Sequence, residues 1–451
     1  MTMNIRKIIT MSLLSGMALG FAGCAGEEED LFSSSAAERL EAAVKDYTEY
    51  FAANGGKWTV EYYPTNGDEA PQGLGYLMLW DFDSDNSVKV AMNNNFTNNV
   101  YKEDASVWEI IADNGPVLSF NTYNECLHAF SDPNDIPFTT GSLNDETGLG
   151  AEGDYEFIVL NLGKDAKEGM LKGKKRSVYD RIIRLPEDTD FPTYMADIKA
   201  FHNMIFPTSA PNYAQFNFGD NIYRIDEGNG GMPNVYLLGT DAIVNESRRP
   251  FIITKHDGKY YLRFRDAMKA TENLTAQEFV YDEEKQLFTE VEHPELTLTG
   301  ADPTTFFAAN KWQWTRSAEM SETLSELYNK VYQEFRGYKF TMNNIRFVFG
   351  EDNVLTLTLS YKPSNAPQVT ISFLFDYAVE GGNVTLNFKE PVVNETSNAQ
   401  AVMDLIPSLS DLLAALSDTY VGEATSSKFD LTRTKIVSAT NPDKWTVVTY
   451  Y

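Results

Sequence analysis

Hydrophobic and polar residues alternate with a helical period between residues 35 and 54. The apolar positions recur every three to four residues and comprise Leu40, Val44, Tyr47 and Phe51. Ser35 and Glu38 precede these apolar residues and have the spacing of a capping box, and Gly55 follows them. The pattern predicts a helix that begins near Ser35 and ends at Gly55.

From Trp58 onward the period changes to two, which is typical of β-strands. Residues 76–82 alternate between two faces, a polar turn follows at 83–86, and Val88 and Val90 resume the alternation. This pattern predicts a β-hairpin. Similar short runs predict strands along most of the chain. Three further helical patterns cover residues 193–205, 317–336 and 399–417, with Pro407 inside the last.

Two pairs of segments resemble each other and indicate repeated units. Residues 258–266 match 382–390, with glycine, leucine and phenylalanine at corresponding positions. The hairpin at 82–90 resembles 349–357 less specifically. We therefore predict repeated units, each an antiparallel meander with a packed helix.

These elements predict a mainly β fold with some α (class α+β), built from repeated antiparallel β-meander or barrel-like units, each with a packed helix. A chain of 451 residues is too long for one ordinary hydrophobic core, so several domains are expected. The predicted divisions are a lipoprotein signal peptide at 1–23, an acidic tether at 24–34 and three units at 35–190, 191–300 and 301–451. Analogy to lipocalin-type barrels would allow an apolar ligand.

Acidic residues outnumber basic ones by 65 to 37, which gives a formal net charge of −28. This balance argues against nucleic-acid binding, because phosphate contacts need clustered Lys and Arg. Two cysteines exclude a disulfide scaffold and a four-cysteine zinc site. The chain contains no P-loop, dinucleotide-binding fingerprint or Gly-x-Ser-x-Gly elbow. We therefore predict no cofactor.

The first residues have the organisation of a secretory signal. Arg6 and Lys7 precede an apolar stretch at 8–21 that is too short to span a membrane. The sequence Phe-Ala-Gly-Cys at 21–24 resembles a bacterial lipobox, with phenylalanine in place of the usual leucine. We predict lipidation of Cys24, and the alternative is an ordinary cleaved signal with a chance cysteine. Two or more acyl chains on Cys24 would anchor the protein stably in its membrane.

An acidic run at residues 27–30 directly follows Cys24. It resembles the surface-export signal of Bacteroidetes lipoproteins, and it also suits a solvated tether. The expected location is therefore the outer membrane, with the protein lipid-anchored through Cys24 and facing the cell exterior.

Few residue patterns indicate chemistry. Asp81, Asp83 and Asp85 have the opening spacing of a calcium loop, but the glycine and glutamate required further on are missing, so a hairpin turn is favoured. Cys126 and His128 would share one side of a strand, as a nucleophile and its base require. The favoured interpretation is a small buried thiol beside an ordinary histidine. The remaining histidines are isolated and lack metal-ligand spacing: His202, His256 and His293.

One basic cluster stands out in this acidic chain, and it comprises Lys172, Lys174, Lys175, Arg176, Arg181 and Arg184. It could hold an anionic sugar or a partner's carboxylates, but a solvated hairpin face is favoured. The tryptophans could stack on sugars. Those on predicted strands are expected in the core: Trp58, Trp80, Trp312 and Trp445. Trp108 and Trp314 are supported as sugar-stacking platforms no better than these four tryptophans.

Several segments resemble a family of Bacteroidetes outer-membrane lipoproteins that is catalogued as a domain of unknown function. The resemblance is densest before residue 190 and rests on segments 31–40, 58–64, 115–124, 128–133, 153–157 and 171–175. It implies no catalytic residue. It also implies an association with starch-utilisation-like import systems, in which a TonB-dependent transporter works with a binding lipoprotein.

We therefore expect a non-catalytic binding or accessory component of a nutrient-import system. Whether the protein is an enzyme stays open, and a non-enzyme is favoured. The alternatives are a surface hydrolase with an unrecognised site, and an adhesin or structural surface protein.

Overall fold

The computed structural model describes residues 34–451 except 66–73, 114, 133–149, 207–213, 219–220, 229–231, 239–242, 245–249, 271–272 and 396. Cys24 and the predicted signal peptide lie outside the described residues. The described chain contains two closed β-barrels separated by two open sheets.

The first barrel consists of eight antiparallel strands in chain order. They are β1 Lys57–Tyr62, β2 Tyr76–Phe82, β3 Ser87–Met92, β4 Lys102–Asp113, β5 Gly115–Phe120, β6 Glu156–Asn161, β7 Glu168–Gly173 and β8 Tyr179–Arg184. The barrel closes because β1 pairs with β2 on one edge and with β8 on the other. The predicted hairpin corresponds to β2 and β3, with Phe82 opposite Val88.

Two open antiparallel sheets follow the first barrel. The four-stranded sheet contains β9 Ala214–Phe218, β10 Asn221–Gly228, β11 Met232–Leu238 and β12 Ile243–Val244. The five-stranded sheet contains β13 Phe251–His256, β14 Lys259–Lys269, β15 Thr275–Asp282, β16 Leu287–Glu290 and β17 Thr297–Leu298.

The second barrel repeats the eight-stranded antiparallel order of the first. Its strands are β18 Lys311–Trp314, β19 Phe340–Phe349, β20 Val354–Pro363, β21 Val369–Glu380, β22 Asn383–Pro391, β23 Thr419–Ala424, β24 Arg433–Ser438 and β25 Trp445–Tyr450. Strand β18 pairs with both β19 and β25 and closes the barrel. The predicted mainly β, α+β class is confirmed.

Six α-helices accompany the sheets in the described part of the chain. They are α1 Ala36–Ala52, α2 Phe191–Ile205, α3 Pro303–Ala309, α4 Glu322–Gly337, α5 Ala399–Leu405 and α6 Ser408–Leu416. The capping box predicted at the start of α1 is confirmed, because the Glu38 amide donates to Ser35 Oγ and the Ser35 amide donates to the Glu38 carboxylate.

Two helix starts differ from the sequence pattern, and the first is that of α2, which begins at Phe191 after a cap by Asp190 instead of at residue 193. Helix α4 begins at Glu322, after a cap by Ser321, because the preceding residues form a turn whose Ser321 amide donates to the Trp445 carbonyl. The break expected at Pro407 is present, and it divides the last helical pattern into α5 and α6, which are bent by 117°. Within the described residues, only this bent pair taken together has the length and apolar composition of a membrane span, and no single helix does.

The described interior of the first barrel is packed ring against ring. Trp80 lies 5.1 Å from Phe120 and 5.5 Å from Phe157, and Phe82 lies 4.8 Å from Trp108, measured between ring centroids. Side chains fill small eight-stranded barrels in this way. The structure of this core therefore gives no support to the lipocalin analogy.

Each barrel is joined to the helix before it by a tryptophan in its first strand. Trp58 Nε1 donates to the Phe51 carbonyl at 3.0 Å, and Trp312 Nε1 donates to the Phe307 carbonyl at 2.7 Å. In both cases the phenylalanine ring also contacts the indole. The two helix-to-barrel junctions are therefore built alike.

The two sequence matches have different structural meanings. The glycine turns at 258 and 382 join β13 to β14 and β21 to β22, so one lies in the open five-stranded sheet and the other in the second barrel. The match between residues 82–90 and 349–357 joins the second and third strands of both barrels. The weaker sequence match therefore falls on corresponding positions, whereas the stronger one reflects the general composition of a hairpin.

Candidate functional site

The turn that follows β5 contains both members of the Cys126–His128 pair. Asn124 Oδ1 accepts the amides of Cys126 and Leu127, each at 3.0 Å, and a 3₁₀ helix begins at His128. Asparagine commonly closes a turn in this way. The expectation of a strand with both side chains on one side is therefore wrong. Cys126 packs into the core of the first barrel, whereas His128 packs against surface tyrosines.

Cys126 is fully buried, and its Sγ lies 3.7 Å from the Lys102 carbonyl. Burial raises the pKa of this thiol to about 12. Because a nucleophilic cysteine must form a thiolate, the arrangement fits a structural thiol. The favoured sequence interpretation agrees with this geometry.

Three aromatic rings adjoin at the surface of the same turn. The His128 ring centroid lies 5.2 Å from that of Tyr123 and 4.6 Å from that of Tyr155, with the planes inclined by 33° and 27°. Tyr123 is 57% exposed and Tyr155 is 42% exposed, while His128 is half-buried. We refer to Tyr123, His128 and Tyr155 as the aromatic stack.

Asn124 fixes the aromatic stack to the barrel. Its buried side chain donates from Nδ2 to the Asp104 carbonyl at 3.0 Å and to Ser106 Oγ at 3.4 Å, both in β4. The backbone N–H of Asn124 donates to His128 Nδ1 at 3.0 Å, and this bond orients the imidazole. Burial lowers the pKa of His128, so the ring is neutral at pH 7. The aromatic stack is thus uncharged, and its central ring is held in place by Asn124.

The structure neutralises much of the basic cluster internally. Lys172 lies over the Tyr179 ring at 5.8 Å. Lys174 forms ion pairs with Asp113 and Glu156, and Arg176 forms one with Glu152, at distances of 2.8–3.1 Å. The amides of Lys175 and Arg176 donate to the carboxylate of Asp154. These contacts favour a structural role over an anion site.

Arg184 faces the end of α1. Its guanidinium lies 4.0 Å from the Trp58 ring and donates to the carbonyls of Tyr50 and Ala53. A cation at this position complements the partial negative charge of a helix C-terminus. Arg184 therefore helps to join α1 to the first barrel.

Arg181 belongs to a buried charge network between the first barrel and the five-stranded sheet. Glu61 of β1 is fully buried and accepts Arg263 Nη1 of β14 at 2.9 Å, with Arg181 Nη1 at 3.7 Å. Arg181 also contacts Glu278 of β15 and Glu168 of β7, each at 2.6 Å. Because two guanidinium groups face the Glu61 carboxylate, this network joins two sheets through charge.

Sequence reasoning did not identify the role of Glu61. A charged residue at an outward position of β1 was the available signal, because Trp58, Val60 and Tyr62 point into the barrel core. Its partner Arg263 is 202 positions away in the chain. No local pattern connects the two residues.

The aspartates at 81, 83 and 85 form a strand end and a turn. Asp83 Oδ1 accepts the Ser84 amide at 2.7 Å, and Asp85 Oδ1 accepts the Ser87 amide at 3.0 Å. Asp81 pairs within the sheet opposite Lys57 and Lys89. No group of three or more His, Cys, Asp or Glu among the described residues is arranged to hold a metal ion.

The other single histidines lie in separate places. His202 is in α2, His256 stacks on Tyr261 at 3.8 Å, and His293 Nδ1 lies 3.6 Å from Glu295. Five tryptophans are buried as core residues: Trp58, Trp80, Trp108, Trp312 and Trp314. Trp445 is only partly buried, because it lies at the start of β25 with Lys435 over its ring at 5.1 Å.

Comparison with known proteins identifies a family of unknown activity. No curated protein matches the chain. A solved structure of the vaccine antigen transferrin binding protein B, a tryptophan-to-alanine mutant from Haemophilus parasuis Hp5, is 9% identical over 87% of this chain and 74% of that chain, with a TM-score of 0.13. The model of the family described as a domain of unknown function, DUF4302, matches residues 28–283, and the chain belongs to this family.

Proposed function

We propose that this protein binds a ligand at the bacterial cell surface without converting it, while a lipid on Cys24 holds it in the outer membrane. The observation that carries the binding role is the aromatic stack, whose two tyrosines are exposed and whose central histidine is fixed by Asn124. Rigid, exposed aromatic rings bind ligands at a low cost in conformational entropy.

The anchoring part of the proposal is supported by the lipobox-like sequence at 21–24. About ten residues separate Cys24 from α1, and they reach roughly 35 Å when fully extended. A body on such a tether stays close to the membrane. The acidic run at 27–30 fits export to the outer face.

We further propose that the protein is an accessory of a nutrient-import system containing a TonB-dependent transporter and a binding lipoprotein. The test is a pull-down of the lipidated protein from native outer membranes, compared with the Cys24→Ala variant. Co-purification of a transporter with the lipidated protein and its loss in the variant would support the proposal. A clean pull-down without a partner, or turnover of a bound ligand, would contradict it.

We also infer that each barrel with its preceding helix is a copy of one repeated unit. The support is the Lys-Trp pair at 57–58 and 311–312, where each indole donates to a carbonyl of the preceding helix. Expression of residues 303–451 alone tests this inference. A folded fragment supports it, and a fragment that stays unfolded contradicts it.

A further inference from the structure

The second barrel is attached to the rest of the chain differently from the first. Within the described ranges, its hydrophobic core is drawn from residues 301–450 alone. Leu79 and Ala91 of the first barrel, by contrast, belong to the same core as the five-stranded sheet. We infer that the second barrel is a module that pivots on the linker 299–302, and that Phe429 is the latch that holds it against the sheet.

Phe429 lies in the turn between β23 and β24 of the second barrel, yet its side chain is 1% exposed. Within the described part of the chain, it is the one second-barrel residue that the core of the five-stranded sheet contains, and its ring centroid lies 5.8 Å from that of Phe288 in β16. On the same turn, the Lys428 amide donates to Gln286 Oε1 at 3.2 Å, and Lys428 Nζ donates to the Lys285 carbonyl at 2.9 Å. The turn thus combines one buried ring with polar contacts at the surface.

The linker runs beside the same turn. A side chain at Gly300 would collide with the Lys428 carbonyl, so the two segments are in direct contact. Helix α3 begins after the linker, at Pro303, and it packs on the second barrel, because the Gly422 amide of β23 donates to Thr304 Oγ1 at 2.9 Å. The linker and the turn that carries the latch therefore form one narrow joint between the sheet and the second barrel.

The first barrel is fixed to the same sheet by a face. The buried charge network around Glu61 and Arg181 spans this face. Counted from the Lys-Trp pair that begins each barrel, Thr315 corresponds to Glu61, and its hydroxyl lies 3.1 Å from Ser317 Oγ. Interfaces between domains allow relative motion unless they are large and apolar. We therefore expect the first barrel and the sheet to move as one body, and the second barrel to move against them.

Burial of the Phe429 side chain sets the balance between the attached and the released second barrel. Transfer of one phenylalanine side chain from water into a protein core favours the buried state by about ten- to a hundredfold. The wild-type protein should therefore be mostly attached, and Phe429→Ala should raise the ratio of released to attached molecules by about tenfold or more. Phe429→Leu keeps an apolar side chain and should stay mostly attached.

The experiment measures distances between pairs of spin labels by double electron–electron resonance. The labels are attached to introduced cysteines in the full chain carrying Cys24→Ala, in which the buried Cys126 is the remaining natural thiol. One pair joins the sheet to the second barrel through Lys259→Cys and Asn387→Cys. The other pair joins the sheet to the first barrel through Lys259→Cys and Glu109→Cys. All three labelled positions are exposed.

We expect a narrow distance distribution for both pairs when Phe429 is present. Phe429→Ala should widen the distribution between the sheet and the second barrel by about twofold and leave the one between the sheet and the first barrel unchanged. Tyr377→Ala is the matched control, because it removes a ring that packs within the second barrel, 5.0 Å from Phe349. This control and Phe429→Leu should leave both distributions unchanged.

The inference would be overturned if the sheet-to-second-barrel distribution were broad with Phe429 present, if Phe429→Ala left it unchanged, or if Tyr377→Ala widened it as much. If Phe429→Ala does not fold, urea titration of the two labelled pairs with Phe429 present decides instead. The sheet-to-second-barrel distribution should then widen first, at a urea concentration that leaves the far-ultraviolet circular dichroism unchanged. Widening that occurs only as the circular dichroism is lost would contradict the inference. These results do not depend on the proposed ligand binding or import role.

Discussion

Replacing Glu61 by glutamine should destabilise the protein by about 3 kcal/mol. The substitution keeps the shape of the side chain but removes the negative charge that Arg263 Nη1 contacts at 2.9 Å. Glu61 is fully buried and the Arg263 side chain is 19% exposed, so water can replace the lost carboxylate only in part. The positive charge on Arg263 would then be poorly compensated.

The magnitude follows from the partners that remain. Removing one member of a buried ion pair typically costs roughly 3–5 kcal/mol. Arg181 keeps Glu278 and Glu168, both at 2.6 Å, and Arg263 is partly exposed. These contacts place the expected loss at the lower end of the range. A loss of about 3 kcal/mol changes the unfolding equilibrium by about two powers of ten.

Urea unfolding followed by tryptophan fluorescence measures this loss, because Trp58 is buried in the first barrel and lies on the same strand as Glu61. The matched control is Asp257→Asn. Lys167 and Asp257 form an ion pair at 3.2 Å between the same barrel and sheet, but their side chains are 81% and 65% exposed. We expect this control to leave the urea midpoint unchanged.

The reasoning would be refuted if Glu61→Gln lost less than about 1 kcal/mol, or if Asp257→Asn lost as much. A double variant adds a second check. Arg263→Met in the Glu61→Gln background removes the uncompensated cation, so the double variant should cost less than the sum of the two single substitutions.

Three further predictions concern single positions. Gly56→Ala should destabilise the protein by more than about 2 kcal/mol, because the new Cβ would lie 2.0 Å from the Phe82 carbonyl oxygen. Gly258 has a similar positive φ but a Cβ there meets open space, so Gly258→Ala should cost only about 1 kcal/mol. Thermal unfolding measures both losses. The Cys126 thiol should react with Ellman's reagent only after unfolding, because burial raises its pKa to about 12. Burial lowers the pKa of His202 to about 4, so the unfolded chain binds the proton more tightly than the folded protein does. The free energy of unfolding should therefore fall from pH 6.5 toward pH 4, and it should fall less steeply in His202→Gln. Equal slopes of stability against pH in the two proteins would contradict this prediction.

Local features of the fold could be predicted from the sequence because short-range interactions determine them. The capping box at Ser35, the hairpin turn between β2 and β3 and the break at Pro407 each depend on a few neighbouring residues. The period of two also indicated which residues of β2 share a face. The same local reasoning favoured a buried thiol at Cys126.

Tertiary structure decided how these elements close and what the polar side chains contact. The first and last strands of the first barrel, β1 and β8, pair although more than a hundred residues separate them, and no short sequence period encodes this pairing. Glu61 finds Arg263 on another sheet, and His128 finds Tyr155 across a long connection. Strand pairing over such distances depends on the packing of the whole barrel. The sequence alone therefore determined most of the elements, although it did not indicate helix α3 at Pro303–Ala309, while barrel closure decided which residues meet.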